Sequence, residues 1–261
     1  MTCRICHSET RVVFTQVVLN KYECQYFFCD GCGFLQTEEP YWLGEAYASA
    51  IADADTGLVQ RNLILSKKLS VLLVAFFNRN GRYLDIAGGY GMLTRLMRDK
   101  GFDFYWSDKY CKNLLAPGFD ADLTDGPYTA LTAFEVLEHV HDPVEFVRAS
   151  LATSQSKSIF FSTQLFQGEP PLPGTWWYYV PETGQHISFY QRRTLHALGT
   201  RLGLHCYSKG NLHLLTQKTI PTSLYMLMTS FPVASLVEDM LKLFMRSKTN
   251  ADHEAMRASS K

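Results

Sequence analysis

Apolar residues in 12–18 and 22–28 read as two strands near the start of the chain. From 58 to 77 the apolar positions recur at helical spacing, which predicts one long helix whose Leu, Val and Phe content is explained by core packing. The next apolar run, 82–86, feeds a glycine turn, and Met92, Leu93, Leu96 and Met97 then supply a helical stripe. The pattern there is strand, tight loop, helix. A further apolar strand follows at 102–106, a helix at 195–202, and a closing hairpin pairs 204–208 with 212–216 across Gly210 and Asn211. Beyond Ile220 an apolar helical pattern returns, broken by Pro232, to pack on the domain, cover a partner or lean on a membrane surface. The polar, small-residue end, 247–261, reads as a flexible tail.

Length and charge narrow the function classes. The chain has 261 residues, with 25 Lys plus Arg against 25 Asp plus Glu and a pI near 7.1. Such a balance offers no electrostatic footprint for a polyanion, so nucleic acid is not expected as a partner. The longest near-apolar stretch, 224–236, is interrupted by Thr229, Ser230 and Pro232. It falls short of the ~20 residues that span a bilayer, and no transmembrane segment is expected. The N-terminal MTCRICHSET has no apolar signal region, which implies a reducing, cytoplasmic compartment and unpaired cysteines.

Among the seven cysteines, Cys3 and Cys6 form one C-x-x-C pair, and Cys29 and Cys32 form a second after 22 intervening residues. Each pair can present two thiolates to one tetrahedral ion, and Gly31 and Gly33 suit a tight turn at the second. Residues 1–36 therefore read as a zinc ribbon holding a structural zinc ion. A redox role fits less well, because neither pair opens a helix after a strand. Cys24, Cys111 and Cys206 are ordinary thiols, and His7 is a spare ligand that a four-cysteine set does not need.

The glycine turn is the centre of the chemistry. Asp85 closes its strand, followed by Ala87, Gly88, Gly89 and Gly91. A nucleotide-type ligand can approach such a backbone closely, although the dinucleotide fingerprint fails where its third glycine would fall on Thr94. Asp108 ends the next strand, 23 positions after Asp85, where a carboxylate can accept both hydroxyls of a ribose.

The run Leu84-Asp-Ile-Ala-Gly-Gly-Tyr-Gly91 resembles motif I of class I S-adenosylmethionine-dependent methyltransferases. The resemblance implies an α/β fold: a Rossmann-like doubly wound sheet with a terminal antiparallel hairpin, beside the small ribbon. It places Asp85, Ala87, Gly88, Gly89 and Gly91 at the cofactor loop, Asp108 on the ribose, Asp122 (in preference to Asp120) at the adenine, and Phe134 among the cofactor contacts. Ala87 departs from the family, which usually has its first glycine there. Only 26 positions separate Asp108 from Phe134, so an abbreviated sheet is expected between them. Residues 131–143 are similar to the fourth strand and its turn, and 158–163 to the fifth strand. The segments 176–179 and 184–190 resemble the substrate-side loop of the subgroup that includes deoxysugar methyltransferases and carries an N-terminal zinc module. The expected organisation is a ribbon at 1–36, a helical connecting segment at 37–80, the cofactor domain at 81–218, an apolar helical segment at 219–246 and the tail.

Methyl transfer requires alignment of the acceptor and, for a hydroxyl or carbon acid, removal of a proton. His139 and His186 are the candidate bases, since the resemblance sets both at the carboxyl ends of strands, and Glu138 joins them. One helical turn would group Glu135, Glu138 and His139 at i, i+3 and i+4. With His186 this set is similar to the divalent-ion cluster of ubiquinone-biosynthesis and small-RNA O-methyltransferases, and would suit Mg, Mn or Zn. Capping or ion pairing by the two glutamates explains the same residues without any ion. Trp176 to Tyr179 read as an extended segment, two rings packed inward and two lining a pocket for a sugar ring or other flat acceptor. Tyr47, Asp53, Asp55 and Arg61 cluster on the approach to the long helix and could face a pocket.

The acceptor is thus expected to be a small molecule or a glycan. An RNA methyltransferase that grips RNA with its ribbon is the alternative, but Arg4, Arg11 and Lys21 there are offset by Glu9, Glu23 and Asp30. A cofactor-binding module without activity is opposed by the intact Asp85, Gly89, Gly91 and Asp108.

Overall fold

The computed structural model describes residues 1–47 and 56–259, so Asp53 and Asp55 lie outside the described residues. The chain runs β1 (Arg11–Val18), β2 (Tyr22–Phe28), β3 (Leu35–Thr37), α1 (Leu43–Ala46), α2 (Leu58–Phe76), β4 (Arg82–Ile86), α3 (Met92–Asp99), β5 (Asp103–Ser107) and β6 (Ala130–Phe134). It continues through α4 (Pro143–Thr153), β7 (Ser158–Ser162), β8 (Ser188–Phe189), α5 (Arg192–Leu202), β9 (His205–Lys209), β10 (Leu212–Thr216), α6 (Thr222–Met228), α7 (Phe231–Phe244) and α8 (Thr249–Ser259).

Six strands form one sheet in the order β5-β4-β6-β7-β10-β9, and β1-β2-β3-β8 form a second. Strand β4 pairs in parallel with β5 and with β6, setting Leu84 opposite Tyr105 and Leu131, while β9 and β10 make the expected antiparallel hairpin. The abbreviated stretch after β5 is also found. Among the described residues, a single parallel bridge between Trp106 and Asp120 and a 3-10 turn at Leu123–Asp125 stand where a helix and a third strand would run.

Two compact units emerge, Met1–Ala52 with Phe134–Ser150 and Phe160–Lys218 in one, and Asp53–Ala133 with Leu151–Ile159 and Thr219–Lys261 in the other. The expected consecutive segments do not describe them. The ribbon does not close at residue 36, because β3 pairs with β8 at Leu35–Phe189. Its inward residues Tyr26, Phe28 and Leu35 share a core with Trp42, Tyr178, Tyr179, Ile187 and Phe189. A ribbon this short buries too little by itself, and the aromatic segment completes it.

In the second unit, α2 buries Leu65, Leu69, Leu72 and Leu73 on one face, in keeping with its helical spacing, and its second half also buries Ser70 and Val71. The end of the chain is not a free tail. Helix α8 buries Asp252, whose carboxylate accepts from Arg98 Nε and Nη2 at 2.8 and 2.7 Å and from Arg95 Nη2 at 2.9 Å. Composition could not reveal this, because the partners are 154 and 157 positions apart. No single helix among the described residues is long and apolar enough to cross a membrane.

Candidate active site

The cofactor loop lies wholly within the second unit. After β4 the backbone turns left-handed at Ala87, Gly89 and Gly91 (φ 53°, 54° and 84°) before α3 begins. At Gly91 a side chain would also meet Asn113, 2.5 Å from the position of a Cβ, and at Gly88 one would meet Asp85 and Trp106. Ala87 holds this left-handed conformation with a Cβ, at a cost of about 1 kcal/mol.

Asp108, one residue past β5, ties the loop together. One carboxylate oxygen accepts from Gly89 N–H at 2.9 Å and the other from Tyr110 and Cys111 N–H at 2.7 and 2.9 Å, while Trp106 Nε1 donates to Gly89 O. Asp85 is fully buried and accepts from the Thr132 hydroxyl at 2.5 Å. Burial pushes its carboxyl up to about 7, against that hydrogen bond and helped by the charge of Asp108. Asp122 is exposed and caps the 3-10 turn at Leu123–Asp125, and Asp120 accepts from Asn113 and Gly118. Phe134 is half-buried at the end of β6.

The candidate acceptor-side groups belong to the first unit. Glu138 is fully buried, and its Oε1 accepts the Tyr178 hydroxyl at 2.6 Å. Because that hydroxyl has one hydrogen, the Thr163 hydroxyl 3.2 Å away donates to it. His139 and His186 stand ring to ring, 4.7 Å apart and nearly perpendicular. Nδ1 of His139 lies 3.2 Å from Gln185 O, and Nδ1 of His186 lies 2.7 Å from Tyr178 O. A carbonyl only accepts, so each Nδ1 carries a hydrogen, and in the neutral form of either ring the lone pair lies on Nε2. Burial, reinforced by His186, lowers His139 to about 3 and keeps it neutral. The loop beneath is fixed from α1 and its flanks, since Trp42 Nε1 donates to Gly184 O and Gln185 Nε2 to Ala46 O, both at 2.8 Å.

One ligand atom from each of Glu138, His139 and His186 lies within 4.8 Å of the others. Glu135 is not in this group, contrary to the expected helical face. Residues Leu137–His139 form a 3-10 turn, and Glu135 precedes it in a left-handed conformation (φ 55°). Its carboxylate accepts the Ser162 hydroxyl at 2.6 Å instead. The aromatic segment also differs from expectation. Trp177–Tyr179 is a 3-10 turn rather than an extended strand, burying Tyr178 and Tyr179 and leaving Trp177 71% exposed.

The four cysteines of the two pairs converge as their spacing predicts, all Sγ atoms within 4.8 Å of one another. Cys3 faces Cys32 and Cys6 faces Cys29, both at 3.5 Å. The residue after each pair, His7 or Gly33, is left-handed, and its N–H returns to the carbonyl of the first cysteine.

The methyltransferase-domain family matches residues 59–209. The chain belongs to this family. It is a class I, S-adenosylmethionine-dependent methyltransferase. No curated protein matches the sequence. Among solved structures, it is similar to a Synechocystis magnesium protoporphyrin IX methyltransferase with bound S-adenosylhomocysteine, at 16% identity and TM-score 0.41, over 67% of this chain and 94% of that one. It is also similar to the mitomycin 7-O-methyltransferase, at 16% identity and TM-score 0.39, over 68% of each chain. A third is a Planctomyces limnophilus O-methyltransferase in complex with apigenin, at 13% identity and TM-score 0.42, over 67% of this chain and 66% of that one.

Several residues of this methyltransferase escaped sequence reasoning. Thr132, Ser162, Gln185 and the Tyr178 hydroxyl each hold a singled-out side chain from another part of the chain. The one signal for Tyr178 was its place in the aromatic run. Val180, β-branched yet left-handed at φ 42°, is strained beside that turn.

Proposed function

We propose that this methyltransferase transfers a methyl group to a hydroxyl of a small molecule or glycan, with a histidine removing the proton. The observation that carries this reading is the pair of imidazoles, His139 and His186, each held by a carbonyl at Nδ1 so that Nε2 is the atom left to act as base. S-adenosylmethionine supplies an electrophilic methyl carried on a sulfonium. The residues present fit that cofactor: the left-handed loop from Ala87 to Gly91 admits a close ligand, and Asp108 offers a carboxylate at the strand end for the ribose. Asp85, Gly88 and Gly89 would line the loop, with Asp122 toward the adenine and Phe134 at the end of β6. On the acceptor side, His186 would take the hydroxyl proton. His139 would pack against it, and Glu138, anchored by Tyr178, would stabilise the imidazolium that forms. The solved structures' names include a porphyrin, a mitomycin and a flavonoid, in keeping with a small-molecule acceptor.

One observation favours a second reading. Glu138, His139 and His186 can offer three ligand atoms within 4.8 Å, and Nδ1-anchored imidazoles are the usual form of metal-binding histidines. A divalent ion there would hold the acceptor oxygen and lower its pKa. At the ribbon we assign a structural zinc to Cys3, Cys6, Cys29 and Cys32, since tetrahedral thiolates about 2.3 Å from zinc stand roughly 3.8 Å apart.

The test is a mass-spectrometric screen of nucleotide sugars, lipid-linked glycans and phenolic acceptors with S-adenosylmethionine, followed by variants on whatever is methylated. His186→Ala should lower the rate by the ~10²- to 10⁴-fold of a positioned base while leaving cofactor affinity unchanged. Loss of activity on mild chelation, restored by Mg or Mn, would select the metal reading. Full activity in a His139→Ala, His186→Ala double variant overturns both.

A further inference from the structure

The second unit leaves one helix with an apolar outward face. At 3.6 residues per turn Leu236, Met240, Leu243 and Phe244 share one side of α7, opposite the buried Ala234 and Glu238. Outward faces of helices on globular proteins are normally polar. Here these four side chains, with Phe231 at the start of α7 and Leu227 on α6, each leave at least half of their surface in solvent. Helices of 7 and 14 residues, bent by 74° at Thr229 and Ser230, are too short to cross a bilayer separately, α7 reaching only ~21 Å.

The charges around this face have one sign in excess. Between 219 and 250 the acids are Glu238 and Asp239, and both are engaged. Glu238 is buried beside Lys100 and Lys67, and Asp239 accepts from Lys242 at 2.7 Å. Arg246 lies exposed just beyond the apolar face, and Lys248 follows, its Nζ 3.9 Å from Asp103. An apolar face bordered by cations is complementary to a surface of acyl chains beneath anionic headgroups.

We propose that α6 and α7 seat this protein on an anionic lipid surface, with the outward residues of α7 entering the headgroup boundary and Arg246 and Lys248 meeting the headgroups. The inference is independent of the acceptor assignment. It is tested by flotation of the full chain with phosphatidylcholine vesicles, with and without phosphatidylserine. The protein should float with the anionic vesicles, and added salt should weaken the association. Leu243→Glu should reduce binding roughly tenfold or more, and Arg246→Gln about fivefold. Both side chains are exposed, so circular dichroism and the melting temperature should be unchanged, and Leu236→Glu, about two turns away on the same face, should repeat the loss. Failure of the wild-type chain to float with any vesicle, equal binding to both vesicle types, or undiminished binding by both glutamate variants would overturn the proposal. A wild-type dimer in light scattering that Leu243→Glu separates would also overturn it, assigning the face to a second copy.

Discussion

Asp85 gives the sharpest quantitative prediction. Its carboxyl is buried at the end of β4, with the Thr132 hydroxyl donating to one oxygen and the Asp108 charge nearby. Burial raises it from 3.8 to about 7. Between those values the folded chain keeps a proton that the unfolded chain releases, so stability is greatest below pH ~4 and falls as pH rises toward 7. Three units at 1.36 kcal/mol each make this loss about 4 kcal/mol, with a slope near 1.4 kcal/mol per pH unit. Asparagine matches the shape, can still accept from Thr132 and does not titrate. Guanidinium unfolding of the cofactor-free wild type and Asp85→Asn at a series of pH values measures the difference directly. The variant's stability relative to wild type should rise by ~2 to 3 kcal/mol between pH 5 and 8. A difference that stays constant with pH, or that falls, would refute the buried-carboxyl reasoning.

Two further perturbations follow from the packing. The zinc proposed for the ribbon predicts one ion per chain in metal analysis, and Cys29→Ser should abolish it. Because the ribbon shares its core with Tyr178, Tyr179 and Phe189, turnover should fall more than S-adenosylhomocysteine affinity; metal-free wild type with normal turnover would contradict this. Asp252→Ala leaves the buried Arg98 with Asp103, 3.2 Å away, as its carboxylate partner, so the variant should lose about 2 kcal/mol and become cleavable after Arg246 in limited proteolysis. Unchanged protease resistance would show that α8 docks by other means.

Much of the fold was legible because its signals are local. The strand, glycine loop and helix at 82–99 fall in one continuous stretch, the two C-x-x-C pairs carry their own turn chemistry, and α2 advertises a stripe of leucines. The candidate site was legible only in its members. Glu138, His139 and His186 could be named, but their arrangement depends on Tyr178 and Gln185, 40 and 46 positions from the side chains they hold. The helical spacing at 135–139 misled for a physical reason: the left-handed Glu135 ends β6 and turns aside to Ser162 before any helix begins. The C-terminal segment misled likewise, since a polar and small-residue composition says nothing of a distant arginine pair.

Cofactor binding at the glycine loop is tested most directly by isothermal titration of S-adenosylhomocysteine into the full chain. One site per chain is predicted. Asp108→Ala should weaken it by about 1.5 to 3 kcal/mol, the worth of hydrogen bonds to a charged group, and Asp108→Asn by less. Since Asp108 also accepts from Gly89 N–H of the loop and from Tyr110 and Cys111 N–H of its own turn, the melting temperature of each variant is read alongside. Absence of binding heat in the wild type, or unchanged affinity in Asp108→Ala, would contradict the assignment.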